Sequence, residues 1–423
     1  MKLLIQHGTI VNENNIFDGS IIVEDSKITK IVEGNTIPNA SFDEVIDASG
    51  CFVLPGLIDD HVHFREPGFA YKETIATGSL AAAAGGYSDV FTMPNLNPAP
   101  DSLPALQVQQ QIIDSTACVN VHPYACITKG QKGGGELVDF KTLAPYVAGF
   151  SDDGKGVQDE QTMLEAMLRC KAVGSMIVEH CEVESLLRGG YIHDGEYALR
   201  HHHRGICSES EWREVERNLR LVEQTACRFH VCHVSTKESV QLIRQAKRQG
   251  LPVTCETAPH YLLLDDSMLQ ESGNWKMNPP IRSQADREAL IEGIEDGTID
   301  CVATDHAPHS QEEKQKGLAA SAFGIVGLET AFPLLYTYLV KEKIISMDTL
   351  LQLMTIRPRQ IMNLSPAESF TLFDLADEYL IDPTLFHSKG RSTPFEGWRV
   401  NGRCLLTVVD GKEVYRHPDY KDS

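Results

Sequence analysis

The 423-residue sequence predicts an α/β protein: a closed (β/α)8 barrel of the TIM type, with a small β-sandwich domain formed by both chain ends. Three observations carry this. The ends, residues 1–54 and 366–423, alternate apolar and polar side chains, the period of strands that bury one face. The stretch between them, 55–365, repeats a short β-rich run and then a longer segment of helical spacing about eight times, the number that closes a barrel. Its polar residues gather at the carboxyl ends of the runs, where such a barrel keeps its site. A doubly wound open sheet is the alternative, but no G-x-G-x-x-G follows a strand to support it.

At the amino end, KLLIQHG, GSIIVEDSKITKIVEG and EVIDASG read as short antiparallel strands separated by turn residues. The opening MKLLIQHGTIV turns polar too soon for a signal peptide and lacks a small-residue cleavage site. The eight central runs are GLIDDHVHF, SDVFTMPN, VNVHPYACI, YVAGFSDD, SMIVEHCE, RFHVCHVS, PVTCETAPH and DCVATDHAP. Between them, helical spacing predicts helices over 72–86, 157–174, 208–226, 236–250 and 284–297, several ending in glycine as a helix stop should. Near the carboxyl end, RCLLTVVDGKEVYRH carries Asp410-Gly411, the dipeptide of a two-residue hairpin. Chain termini often lie close together, so the two alternating ends are expected to build one small domain around the barrel.

Composition bounds the function. With 38 basic and 59 acidic residues the net charge is −21, and no segment concentrates basic residues, which argues against nucleic acid as a partner. The longest nearly apolar stretch, TAFPLLYTYLV, is too short to span a bilayer, so no membrane anchor and a cytoplasmic location are expected. The 11 cysteines are odd in number, show no C-x-x-C spacing and sit in apolar segments, as reduced thiols do.

The chain also holds 16 histidines. His61 and His63 form H-x-H at the end of the first run, and the two-residue period of a strand turns both imidazoles to one side. Asp153 ends the fourth run, His180 the fifth, His233 the sixth and Asp305 the eighth. On a barrel all six converge on one mouth. Unpaired histidine and aspartate are costly to bury, so this recurrence points to a metal site. Four histidines and two carboxylates exceed what one tetrahedral ion takes with a position left for water; the set suits one or two Zn2+ ions, two fitting better. A bound water ionising near pH 7 makes the reaction class metal-assisted hydrolysis, in which Asp305 binds an ion and carries a proton to a leaving nitrogen.

The arrangement resembles the amidohydrolase superfamily, and PGLIDDHVHFREPG narrows the resemblance to the dihydroorotases. GFSDDGKGVQ, VEHCE, FHVCHVSTKESV, ETAPHYLLL, WKMNPPIR, TDHAPHSQEEK and FGIVGLET follow in order across 55–330, and RSTPFEGW and VVDGKEVY lie beyond. The resemblance implies zinc on His61, His63, Asp153, His180, His233 and Asp305, and reversible cyclisation of N-carbamoyl-L-aspartate to L-dihydroorotate in pyrimidine synthesis. It implies an aspartate as the bridging group, where dihydropyrimidinases and hydantoinases use a carboxylated lysine. Here Asp153 is the candidate and Asp152 its less favoured neighbour; the nearest lysine, Lys155, lies past Gly154. Dihydroorotate carries a carboxylate that dihydrouracil lacks, and Arg65, on the side of His63 by strand period, is the cation with bidentate reach. By resemblance His63, Asn95, Asn278 and His309 also bind substrate, with the backbone at Phe323 and Gly324 bonding the ring.

Other cyclic amidases, allantoinase or dihydropyrimidinase, are the nearest alternative, and a non-catalytic relative that keeps the barrel as a scaffold is another; such a relative is expected to have lost ligands. A homodimer, or assembly with aspartate transcarbamoylase, accords with the resemblance. The segment 310–322 is polar and reads as a lid over the mouth or a plain solvated loop. His201, His202 and His203 lack strand spacing and read as surface, within a stretch, ALRHHHRGICSESEW, that departs from the family's usual pattern.

Overall fold

The computed structural model describes residues 2–12, 15–25, 27–34, 40–365 and 368–420. Parallel strands Leu57–Val62, Tyr87–Thr92 and Asn120–Pro123 pair in chain order, as do Met176–Glu179, Arg228–Val231, Val253–Thr257 and Cys301–Val302. Two joins close the ring. Phe150 bridges Ala125 on one side and Ile177 on the other, and His306 bridges Val62. The eight runs thus occupy the eight positions of a barrel in order. The fourth is a bridge instead of a strand because the Asp152 carboxylate, not a backbone carbonyl, takes the N–H groups of Ile127 and Thr128 at 2.8 and 3.2 Å.

The five expected helices form as Ile75–Ala84, Glu160–Ala172, Glu209–Thr225, Lys237–Arg248 and Gln284–Glu295. Each differs from its expected bounds by three residues or fewer at either end, and four begin at a side-chain cap: Thr74, Asp159, Thr236 and Ser283 each accept from the backbone N–H three residues on. Lys237–Arg248 shows why the spacing is helical. Ser239, Val240, Ile243 and Ala246 are buried on one face while lysines and arginines take the other.

The chain ends meet in one eight-stranded sheet. Its order is Lys412–Arg416, Arg399–Val409, Phe370–Leu380, Phe52–Pro55, Lys2–Asn12, Asn15–Glu24 and Lys27–Glu33, with Glu44–Asp47 also against Lys2–Asn12. Phe370–Leu380 pairs with Phe52–Pro55, which joins the carboxyl end to the amino end. The sheet has a core of its own, including Leu3, Ile5, Ile21, Val53, Phe370, Leu372, Leu406 and Val408. Asp410 and Gly411, with φ of +48° and +71°, close the expected hairpin between Val409 and Lys412. One expectation is corrected: Lys2–Asn12 runs parallel to both Glu44–Asp47 and Phe52–Pro55. Alternation fixes which face a side chain takes, not the direction of the neighbouring strand. The expected boundary at 366 lies outside the described residues.

All eleven cysteines are free thiols, and among the described residues no helix is long and apolar enough to cross a membrane.

Candidate metal centre and active site

His61 lies on the first strand and His63 just beyond it, both buried and turned into the mouth. His61 Nε2 stands 3.5 Å from Asp153 Oδ1 and 3.5 Å from Asp305 Oδ1. His63 Nε2 is 3.1 Å from Asp305 Oδ1 and 3.5 Å from Asp153 Oδ2. From the other side, His180 Nδ1 and His233 Nε2 are 2.9 Å apart and face Asp153 Oδ1 at 3.8 and 3.6 Å. Asp153 therefore stands between a pair of histidines from the first strand and a pair from the fifth and sixth.

These separations test whether a metal fits. Two ligands about 2.0–2.1 Å from a tetrahedral ion lie about 3.3 Å apart, so 3.5 Å is too long for a hydrogen bond of ordinary strength and right for a shared ion. His61 Nε2 and Asp153 Oδ1 are buried and have no hydrogen-bond partner. Among the described residues four groups of three have ligand atoms within 4.8 Å of one another, and two of them are drawn wholly from the six expected ligands: His61, His63 and Asp305, and His61, Asp153 and His233. The charges agree. Burial disfavours the charged ring of His61, but Glu256, Asp153 and Asp305 outweigh it and lift the pKa to about 10. Burial likewise opposes charge on His180, and Glu182, Asp153 and Asp305 lift it to about 9. Burial would raise Asp153, yet the surrounding histidines hold it well below the carboxylate range. The cluster calls for positive charge, which divalent cations supply.

The other ring nitrogens are fixed from behind. His61 Nδ1 is 2.6 Å from Glu256 Oε1, and that carboxylate also meets His230 Nε2 at 3.1 Å and accepts the His233 N–H at 3.2 Å. His180 Nε2 is 3.3 Å from Glu182 Oε2. Carboxylates behind metal-facing histidines set the tautomer and ring orientation. Neither glutamate figured among the expected site residues: Glu256 sits one residue before the end of the seventh strand, Val253–Thr257, and Glu182 stands two residues beyond His180, the spacing that places two side chains on one side of an extended chain.

Asp152 and Asp153 part company. The Asp152 carboxylate accepts from the backbone N–H of Ile127, Thr128 and Gly133 and from the Thr128 hydroxyl, so its capacity is spent within the fold. Lys155 is exposed.

A cavity of about 270 Å³ opens over the cluster, lined by His63, Asp153, His180, His233 and Asp305 together with Arg65, Asn95, Asn278, His309, Phe323 and Gly324. The structure thus brings the expected metal and substrate residues together; His61 alone lies behind the cavity wall. Arg65 Nε donates to the Pro308 carbonyl at 3.2 Å, and Nη2 is 3.4 Å from His309 Nε2. Burial, with the charges of Arg65 and Lys72, pushes His309 down to about 3, so its ring is neutral at working pH. Asn95 Nδ2 donates to the Asp153 carbonyl at 2.7 Å, which ties a cavity residue to the backbone of the fourth position. Gly324 has both backbone groups engaged: its N–H donates to Lys276 O at 3.0 Å and its carbonyl accepts from Lys314 Nζ at 2.7 Å. The segment 310–322 holds two short helices, Gln311–Lys314 and Gly317–Ala320, and the Lys314 ammonium also donates to the carbonyls of Lys276 and Ala322. His201 and His202 are exposed, while His203 bonds the Tyr191 hydroxyl and Glu271, each at 2.7 Å, away from the mouth.

Known proteins resemble this chain along nearly its whole length. Residues 50–239 match the family model described as Dihydro-orotase-like. The chain is 46% identical to a protein of Bacillus cytotoxicus named dihydroorotase and 48% identical to one of Geobacillus thermodenitrificans with the same name, in both cases over 98% of this chain and 99% of the relative. Among solved structures, L-hydantoinase from Arthrobacter aurescens superposes with a TM-score of 0.88 at 25% identity, covering 99% of this chain and 97% of that one. D-Hydantoinase from a Thermus species superposes with a TM-score of 0.85 at 24% identity, covering 100% of this chain and 97% of that one.

Proposed function

The chain belongs to the dihydroorotase family, hydrolases of cyclic amides, and from that premise we propose how its mouth performs the reaction on L-dihydroorotate and its reverse on N-carbamoyl-L-aspartate. His61, His63, Asp153, His180, His233 and Asp305 would hold two zinc ions, with Asp153 shared between them. Such ions supply Lewis-acid polarisation of the ring amide carbonyl and acidify a water near neutral pH. The remaining work belongs to the protein's side chains. Arg65 and neutral His309 grip the substrate carboxylate. Asn95 and Asn278 face the ring, which lies against His63, Phe323 and Gly324.

Asp305 moves the proton. Burial raises its pKa, but the His63 hydrogen bond and the charges of His61, His63 and His233 hold it below the ordinary carboxylate value, so it starts ionised. It accepts a proton from the attacking water and passes it to the departing ring nitrogen; in the synthetic direction the same carboxylate runs the transfer backwards. One observation supports this reading above the others: a cation fit for a carboxylate, Arg65, and a proton carrier, Asp305, line a single cavity over the histidine cluster.

The second reading, a hydantoin- or dihydropyrimidine-opening enzyme, draws on the likeness to L-hydantoinase, but the strand-four position carries Asp153 while Lys155 is exposed. Turnover of dihydroorotate and dihydrouracil, each measured with and without chelator, separates the two. The first reading expects chelator-sensitive opening of dihydroorotate, and opening of dihydrouracil alone overturns it. The proposal also takes 1–54 with 366–423 as a small β domain, 55–365 as the catalytic barrel, the cytoplasm as the working compartment and a homodimer as the assembly, the last checked by sedimentation.

A further inference from the structure

We propose that Glu182 is a positioning residue that turns the side-chain carbonyl of Asn278 toward the cavity, so that the site accepts an N–H of the substrate ring and rejects a ring lacking it. The inference rests on the reading above, in which Asn278 faces the substrate.

Glu182 stands two residues beyond His180, with its side chain 11% exposed. Its Oε1 and Oε2 both accept from Asn278 Nδ2, at 3.1 and 3.0 Å. An ionised carboxylate only accepts hydrogen bonds, and an amide donates only through its nitrogen, so this contact fixes which way round Asn278 sits. Its Oδ1 is then the polar atom left over. That atom is buried and has no hydrogen-bond partner, on a residue that lines the cavity. A buried carbonyl without a partner is costly, and the cost is removed when a ligand donates to it. A cyclic ureide offers such donors on both ring nitrogens. The same carboxylate lies 3.3 Å from His180 Nε2, so one side chain sets both a cavity amide and a histidine of the cluster.

The experiment compares dihydroorotate with its analogue methylated on the ring nitrogen that stays bonded to the carboxylate-bearing carbon. A site built to bond an N–H rejects such an analogue by about 100-fold or more in kcat/KM. In Glu182→Ala the amide of Asn278 is free to turn, and the discrimination is expected to collapse to within about threefold, as in Asn278→Ala, with the double variant no worse than either single. A side chain that merely supported the fold would lower both substrates alike and leave the ratio intact. Zinc content per chain and the melting temperature are followed in parallel, and Glu182→Asp, which withdraws the oxygens by about one bond length, covers the case in which the alanine variant does not fold. An unchanged ratio in the Glu182 variants, or a loss of activity that tracks loss of zinc, overturns the proposal. Wild-type protein that does not open dihydroorotate overturns instead the reading on which the proposal rests.

Discussion

The barrel mouth and the sheet built from the chain ends bury polar groups in opposite ways. In the sheet, Thr371 Oγ1 donates to Leu406 O at 3.0 Å and Thr407 Oγ1 to Ala83 O at 2.7 Å, beneath a core of leucine, isoleucine, valine and phenylalanine. Among the described residues, no buried side-chain atom of that sheet lacks a partner. At the mouth, His61 Nε2, Asp153 Oδ1, Asn95 Oδ1 and Asn278 Oδ1 all do. Both regions end in strands; one is finished by its own residues and the other waits for a ligand. Unmet hydrogen-bonding capacity at one convergent place is what a fold tolerates for the sake of chemistry.

Substitutions can break that contrast. The largest effect is expected at Asp305: Asp305→Asn keeps the shape and removes the proton carrier, lowering kcat about 10³–10⁴-fold while the melting temperature holds or rises. A variant that melted early with its kcat intact would reverse the roles of the two regions. Next comes Leu372→Ala in the sheet core, expected to cost about 2–5 kcal/mol of unfolding free energy in a denaturant titration and to leave kcat at 25 °C unchanged. Arg65→Ala should lower kcat/KM for dihydroorotate about 10²-fold with the zinc content unaltered, since the lost contact is charge-assisted and lies on the substrate side. Glu256→Gln sharpens the comparison from behind the cluster: with His61 Nδ1 no longer held by a carboxylate, zinc affinity in a chelator competition should fall about 10–100-fold.

The smallest effect lies at the junction of the two regions. Glu329 accepts the N–H groups of His387 and Ser388 at 2.9 to 3.1 Å, and burial lifts its pKa from 4.5 to about 7. A carboxyl whose folded pKa is raised stabilises fully below its unfolded value and loses that contribution as pH climbs through the folded one. Wild-type stability should therefore decline between about pH 4.5 and 7 by on the order of 1–2 kcal/mol more than that of Glu329→Gln, in unfolding curves at pH 5 and 8. Parallel curves for the two proteins would show that Glu329 stays ionised across the range.

The barrel was legible because both its signals are local. Strands two residues in period and helices 3.6 in period leave their marks within a few positions, and the caps Thr74, Asp159, Thr236 and Ser283 lie in the sequence itself. The convergence of His61, His63, Asp153, His180, His233 and Asp305 was legible too, since the carboxyl ends of parallel barrel strands meet at one mouth. Three things were not. The parallel pairing of Lys2–Asn12 with Glu44–Asp47 and Phe52–Pro55 depends on the path of the chain between them. The division of labour between Asp152 and Asp153 depends on where Thr128 and Gly133 place their donors. The carboxylates behind the histidines, Glu182 and Glu256, were present as letters but not as partners: Glu256 meets His61 from 195 residues away, and Glu182, next but one to His180, takes its other contact from Asn278, 96 residues on.

By itself, then, the sequence determined which residue types end which strands and so what chemistry the mouth could do. Tertiary structure alone decided which nitrogen of each histidine faces the cluster, which of two adjacent aspartates is left unspent, and which end of Asn278 remains for a ligand. The physical reason is that periodicity sets the side of an element a residue occupies, whereas the orientation of an imidazole or amide follows from the donors and acceptors that distant segments bring within 3 Å or so.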